Sequence, residues 1–428
     1  MPGPGRGDSG AGSGFMSDIL KLKIEGFSSG GEGAAKAAGK SIFVEGGLPG
    51  ETAVCRITGD RGDWAQAEIV ELLEASPDRV NAECPFYGTC GGCNLQHLSY
   101  PAQLAAKTLI LKEAFWRIGG FGSVQPLPAP CTPWGYRNRM QFHAIRQFDR
   151  RFAGAPWGFK AKGSSQIIPA ADCPVADTGI RALLRQGGKE AQAFFVSPEK
   201  DRVNVYSRGG LLLSEAGVAR GKTRLLDRDI AVDAGVFFQS NGEMLERLIS
   251  DLCQIAQGLP QAARSLPMAD LYCGVGTFAA FLAGVFPAAD LVEENKAALS
   301  LARENLRGVS NTRFFAKRAE DWAKSARLDG YGLIVADPPR QGLAASLAGR
   351  LAERGPAFLA YISCSPASLA RDGKALSRCY DLLGLRFYDF YPQTAHIESL
   401  AIFARRASEP ARQTHERDEP RKCLTQRH

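Results

Sequence analysis

Hydrophobic and polar positions fall into distinct regimes along the chain. Over residues 20–73, short apolar runs (LKIEGF, SIFVEG, TAVCRI, AQAEIVELL) alternate with Gly-rich turns, one of them LPGE at 48–51. That pattern predicts short strands closing into a small OB-like β-barrel. Such a barrel serves either as an oligonucleotide platform or as a stabilising module, and the strand pattern does not choose between them. Next, SYPAQLAAKTLILKEAFWRI repeats apolar residues at helical spacing behind Ser99, predicting a helix over 99–118 packed on a neighbouring domain. HAIRQF and RVNVYSRG read as strands of a β-rich central region.

Beyond Val236 the pattern changes. NGEMLERLISDLCQIAQGL reads as an amphipathic helix, MADLYCGVGTF as a strand entering a Gly-rich loop, AADLVEE as a strand and NKAALSLARENLRG as a helix. LIVADPP and AFLAYISCS add two strands that end in loops. The alternation predicts an α/β architecture, an open Rossmann-like sheet with helices on both faces and functional loops at the strand C-termini. The expected organisation is a leader (1–17), a barrel (18–78), a central region (79–235), an α/β domain (236–407) and a polar tail (408–428).

Composition narrows the class. With 45% hydrophobic and 23% charged residues in 428, most of the chain is expected to fold. The formal charge of +7 is compatible with an acidic partner. Residues 137–162 hold seven basic residues against Asp149, interleaved with Phe142, Phe148, Phe152, Trp157 and Phe159. This stretch is either an RNA surface, with cations on phosphates and rings on bases, or a hairpin whose aromatics are core. No run approaches the ~20 apolar residues of a membrane span, and no secretion signal precedes the barrel. Eleven cysteines are too few for a disulfide scaffold of this length; Cys84, Cys90 and Cys93 cluster as C-x5-C-x2-C, and Cys173 could complete a set. Four thiolates suit an iron-sulfur cluster or zinc equally, and point to the reducing cytoplasm.

Candidate chemistry lies at the strand ends. Asp270 precedes CGVGTF, where Gly274 and Gly276 permit a tight turn near a ligand. Glu293, at the end of the next strand, is placed to accept from ribose hydroxyls, so an adenosine-containing cofactor is expected. The loop lacks both the full dinucleotide fingerprint and the P-loop ending. Asp337 leads Pro338 and Pro339 out of a strand; Asp321 would accept from an adenine amine or cap a helix. Cys364, just past an apolar strand in YISCSP, is a nucleophile or an inert thiol.

Together FFQSN (237–241), DLYCGVGTF (270–278), ADPPRQG (336–342), YISCSPASLARD (361–372) and YPQTAHIE (391–398) resemble, in order, bacterial RNA uridine-C5 methyltransferases. CPFYGTCGGC (84–93) is similar to the family's cysteine segment, and the barrel to its TRAM domain. The resemblance spans residues 18–407. It implies a class I S-adenosylmethionine methyltransferase in which Cys364 attacks uracil C6 and Glu398 removes the C5 proton. It also implies Phe237, Gln239 and Asp337 at the base, and Gln239, Asp270, Tyr272, Gly274, Gly276, Glu293, Asp321 and Asp337 at S-adenosylmethionine. Cys84, Cys90, Cys93 and Cys173 would hold a 4Fe-4S cluster. The chemistry is coherent, because uracil C5 is a poor nucleophile until a thiolate adds at C6. Barrel and cluster together favour 23S ribosomal RNA over transfer RNA, and the domain count suggests a monomer. Competing readings are direct N- or O-methylation, with Cys364 incidental, and a catalytically inactive RNA-binding protein.

Overall fold

The computed structural model describes residues 18–122, 124–145 and 156–407. The expected leader and tail, with Phe148 and Phe152, lie outside them.

The N-terminal segment forms a six-stranded sheet in the order Ile19–Lys23, Thr52–Asp60, Trp64–Glu74, Lys40–Glu45, Gly33–Ala37, Gly26–Phe27. Leu22, Ile24, Ile42, Val44, Ala53, Cys55 and Ala67 alternate inward to make its core. Buried Glu51, in the LPGE turn, accepts from Leu48 N and Ser76 N and pairs with Arg79 at 2.6 Å, tying the barrel to the segment that follows. Tyr100–Ala114 is an α-helix continued by a wider π-turn, Phe115–Gly119. Ser99 makes no side-chain cap; its hydroxyl bonds Asp78, and Pro101 occupies the first turn.

The central region is a five-stranded antiparallel sheet, Ile167–Pro169, Trp157–Lys160, Arg139–Ala144, Arg202–Arg208 and Leu211–Ser214. It is backed by helices Thr178–Gln186 and Gly188–Phe195. Here the stacking-surface reading fails for two rings: Phe142 and Trp157 are buried against Phe195, with centroids 4.3 and 5.3 Å away. An interleaved ring points into the sheet's covered face or out of it, and these two point in.

The catalytic sheet has eight strands, in the order Thr312–Phe315, Ala289–Val292, Met268–Leu271, Leu333–Ala336, Phe358–Ser363, Glu398–Arg405, Tyr380–Tyr388, Leu127–Ala129. The first five pair in parallel, and the four inside the edge strand Thr312–Phe315 are largely apolar runs buried on both faces. Glu398–Arg405 runs antiparallel to both neighbours. Leu127–Ala129, which precedes the central sheet in sequence, completes the edge beside Arg386–Tyr388. Helix Gly242–Gly258 is capped by Asn241, Lys296–Asn305 by Asn295, and Pro366–Leu376 by Ser365 with Pro366 in its first turn. The strand order reverses at Met268–Leu271, so the crevice beyond its C-terminus is where a ligand belongs. Among the described residues no helix is long and apolar enough to cross a membrane.

Candidate active site

A cavity of about 650 Å³ opens at that crevice. It is lined by Tyr272, Gly274 and Glu293, together with Phe237, Gln239, Asp337, Arg340, Cys364, His396 and Glu398.

The loop after Met268–Leu271 carries three left-handed residues, Tyr272 (φ 60), Gly274 (φ 53) and Gly276 (φ 77). A non-glycine residue in that region is strained, and strain held at a cavity wall accompanies ligand sites. Glu293 accepts from Gly274 N (3.0 Å) and Asn295 N (2.7 Å), which fixes its carboxylate at the rim. Gly276 serves packing rather than the cavity: a Cβ there would lie 2.9 Å from Leu306 Cδ1 and 3.0 Å from Ala302 Cβ. Asp270 is buried and does not line the cavity; one oxygen accepts from Ala279 N at 3.1 Å, the other has no partner, and burial raises its pKa to about 8. Asp321 is not brought to the cavity either. It is held 2.8 Å from both Arg318 and Lys324, and these cations lower its pKa.

Cys364 and Glu398 meet because two strands end together. The antiparallel register pairs Ser363 with Ser399, and continuing it one step sets Cys364 opposite Glu398. Glu398 is buried with Oε1 unpartnered; burial first, then the Asp337 charge, push its carboxyl well above the carboxylate range. Asp337 is raised to about 7, chiefly by burial, and Gln239 Nε2 donates to it at 3.5 Å. Cys364 is raised to about 11 by burial and by Glu398 and Asp337, with Arg340 opposing. Burial and the mutual charges thus disfavour the ionised forms of all three groups in the ligand-free site. Phe237 is 62% exposed, with the Arg139 guanidinium 5.7 Å from its ring centroid, whereas Phe238 occupies the core beside it.

Cys84, Cys90, Cys93 and Cys173 line a second cavity, of about 770 Å³. Burial raises Cys90, Cys93 and Cys173, the last to about 12, and each of these thiols feels another's charge. Among the described residues no group of three or more Cys, His, Asp or Glu side chains is arranged to hold a metal ion. Gly91, Gly92 and Arg137 line both this cavity and the catalytic one.

Sequence reasoning passed over Arg340, although it lay inside the ADPPRQG segment; a cation directly behind a strand-end Asp-Pro-Pro was the available signal. Arg137 carried no signal beyond its place in a basic stretch.

Fold and site together define a methyltransferase of the S-adenosylmethionine-dependent class. The solved tRNA (uracil-54, C5)-methyltransferase of Pyrococcus abyssi, in complex with S-adenosyl-L-homocysteine, has the same fold: TM-score 0.68 at 24% identity, covering 90% of this chain and all of that one. The family model for tRNA (uracil-5-)-methyltransferase matches residues 221–406, and the TRAM domain matches 18–70. The 23S rRNA (uracil(1939)-C(5))-methyltransferases of Alkalilimnicola ehrlichii and Azoarcus sp. are 31% and 32% identical to it. These alignments cover 91% and 89% of this chain, and 97% and 99% of the relatives. The chain belongs to the RNA uracil-C5 methyltransferase family.

Proposed function

We propose that this protein transfers a methyl group from S-adenosylmethionine to C5 of a uridine in 23S ribosomal RNA, acting as a monomer in the cytoplasm. The observation that carries the mechanism is the meeting of Cys364 and Glu398 at one sheet end, in a cavity continuous with the Glu293 wall. Glu293 would hold the ribose of S-adenosylmethionine and Tyr272 and Gly274 would flank it, and the bound cofactor would supply the electrophilic methyl. Phe237 stacks on the extruded uracil, and Gln239 and Asp337 address its polar edge. Cys364 gives its proton to solvent, and the thiolate Sγ bonds to C6 as the C5=C6 pair shifts toward C5 and O4. C5 then takes the methyl from sulfur, and Glu398, having released its own proton to solvent, removes the C5 proton as a carboxylate. Re-formation of C5=C6 expels the Cys364 thiolate.

Cys84, Cys90, Cys93 and Cys173 are read as ligands of a 4Fe-4S cluster. Soft donors spread around a cavity suit a multi-atom cluster better than a single ion. Such a cluster would pin the cysteine loop, whose glycines also wall the catalytic cavity.

The test is incubation of the enzyme with labelled S-adenosylmethionine and ribosomal RNA, followed by nucleoside analysis and mapping. The expected product is 5-methyluridine in 23S RNA. A methylated base other than 5-methyluridine overturns the reaction, and labelling confined to transfer RNA overturns the substrate.

A further inference from the structure

Arg340 Nη2 lies 2.8 Å from His396 Nδ1. A guanidinium has no lone pair and stays protonated, so Arg340 is the donor and His396 Nδ1 the acceptor. A proton on Nδ1 would face that guanidinium directly. The ring is therefore neutral, with its hydrogen on Nε2. Tyr391 holds the ring edge-on at a centroid distance of 5.7 Å, and Thr394 Oγ1 accepts from His396 N at 3.2 Å. The side chain is exposed where two cavities meet beside Cys364, and lines both. Ile397 packs into the core between His396 and Glu398, which share the catalytic cavity.

We propose that His396, fixed as the Nε2–H tautomer by Arg340, donates a hydrogen bond to O4 of the target uracil, stabilising the charge that develops there and rejecting cytosine. This assignment rests on the reaction proposed above. When Cys364 Sγ bonds to C6, the C5=C6 electron pair is delocalised over C5 and O4, so O4 becomes the oxyanion. C4 neighbours C5, the atom that Glu398 deprotonates, so O4 is on the side of the ring nearest the strand entry that carries both residues. Nε2–H keeps its proton throughout. A neutral donor suits this role, because a charged imidazolium would protonate the enolate instead of supporting it. Cytosine places an amino donor where uracil places O4, so the same N–H would oppose a donor and go unsatisfied.

The experiment measures single-turnover covalent adduct formation on RNA carrying 5-fluorouridine at the target, in wild type, His396→Leu and His396→Gln. Removing an oxyanion donor lowers the chemical step by ~10²–10³-fold; His396→Leu is expected to show that loss with little change in RNA affinity. His396→Gln, which retains an N–H, is expected to recover part of it. RNA with 4-thiouridine at the target slows wild type, because sulfur is a poor acceptor, and is expected not to slow His396→Leu further. A loss confined to RNA affinity, or an equal 4-thio penalty in both proteins, overturns the assignment. An adduct on wild type with normal His396→Leu kinetics sinks His396 alone. Absence of any adduct on wild type sinks the covalent reading beneath it.

Discussion

Lys107 Nζ lies 2.6 Å from Asp389 Oδ1, and neither side chain reaches solvent. Lys107 also donates to Tyr391 O, and Gln103 exchanges hydrogen bonds with Gln393 one turn earlier. The long helix before the central region therefore holds the loop that delivers His396 and Glu398. Lys107→Met leaves a buried carboxylate without its partner and is expected to destabilise the fold by ~3–5 kcal/mol. Urea denaturation checks this; a shift below ~1 kcal/mol would show that water reaches the pair. Lys107→Met with Asp389→Leu is expected to recover part of the loss.

Asp270 carries a pH signature. Its folded pKa of about 8 exceeds the unfolded value of ~3.9, so the folded chain holds a proton that the unfolded chain releases over that interval. Its contribution to stability is full below pH ~4 and is lost as pH rises through about 8. Asp337 acts in the same direction up to about 7. The denaturation midpoint is expected to fall between pH 5.5 and 8, and less steeply in Asp270→Asn. An identical slope in that variant would remove Asp270 as a source.

The thiol is expected to respond to its carboxylate neighbours. Alkylation of Cys364 by iodoacetamide, followed on its own peptide, should rise with pH toward about 11 in the free enzyme. Asp337→Asn removes one negative neighbour and should move the rise to lower pH. An unmoved profile would remove Asp337 from the groups that set it, leaving burial and Glu398.

Glu398→Gln is expected to leave addition at C6 and methylation possible while blocking proton removal, so a methylated RNA–protein adduct accumulates. Cys364→Ala should give neither adduct nor product. Ordinary turnover by Glu398→Gln would assign the base elsewhere.

Phe237→Ala is expected to weaken binding of target RNA by about 1–3 kcal/mol, as loss of one base stack does. Titration of RNA with and without an abasic target separates this effect from misfolding, since abasic RNA should bind both proteins alike.

Much of the catalytic half was legible because buried parallel strands are uninterrupted apolar runs and their ends carry punctuation: Cys-Gly-Val-Gly, Asp-Pro-Pro, Ser-Cys-Ser-Pro. Cys364 was placed correctly at a strand end on that ground. What brings Glu398 to it was not legible, because antiparallel pairing of Phe358–Ser363 with Glu398–Arg405 is a register, and register is set in three dimensions. The Lys107–Asp389 pair joins residues 282 apart, and each read alone is an ordinary surface charge. Asp321 is the converse case: its place at a helix start was legible, whereas its ion pairs with Arg318 and Lys324 were not.

Leu127–Ala129, the edge strand of the catalytic sheet, has a consequence for synthesis. It emerges from the ribosome about 260 residues ahead of its partner Arg386–Tyr388, a wait of some 13 to 52 s at ~5–20 residues per second. A long apolar strand left open for that time would recruit other chains. This one is three residues long, and Pro128 at its centre has no N–H to offer. A strand that waits this long for its partner is also one poorly suited to finding a wrong one.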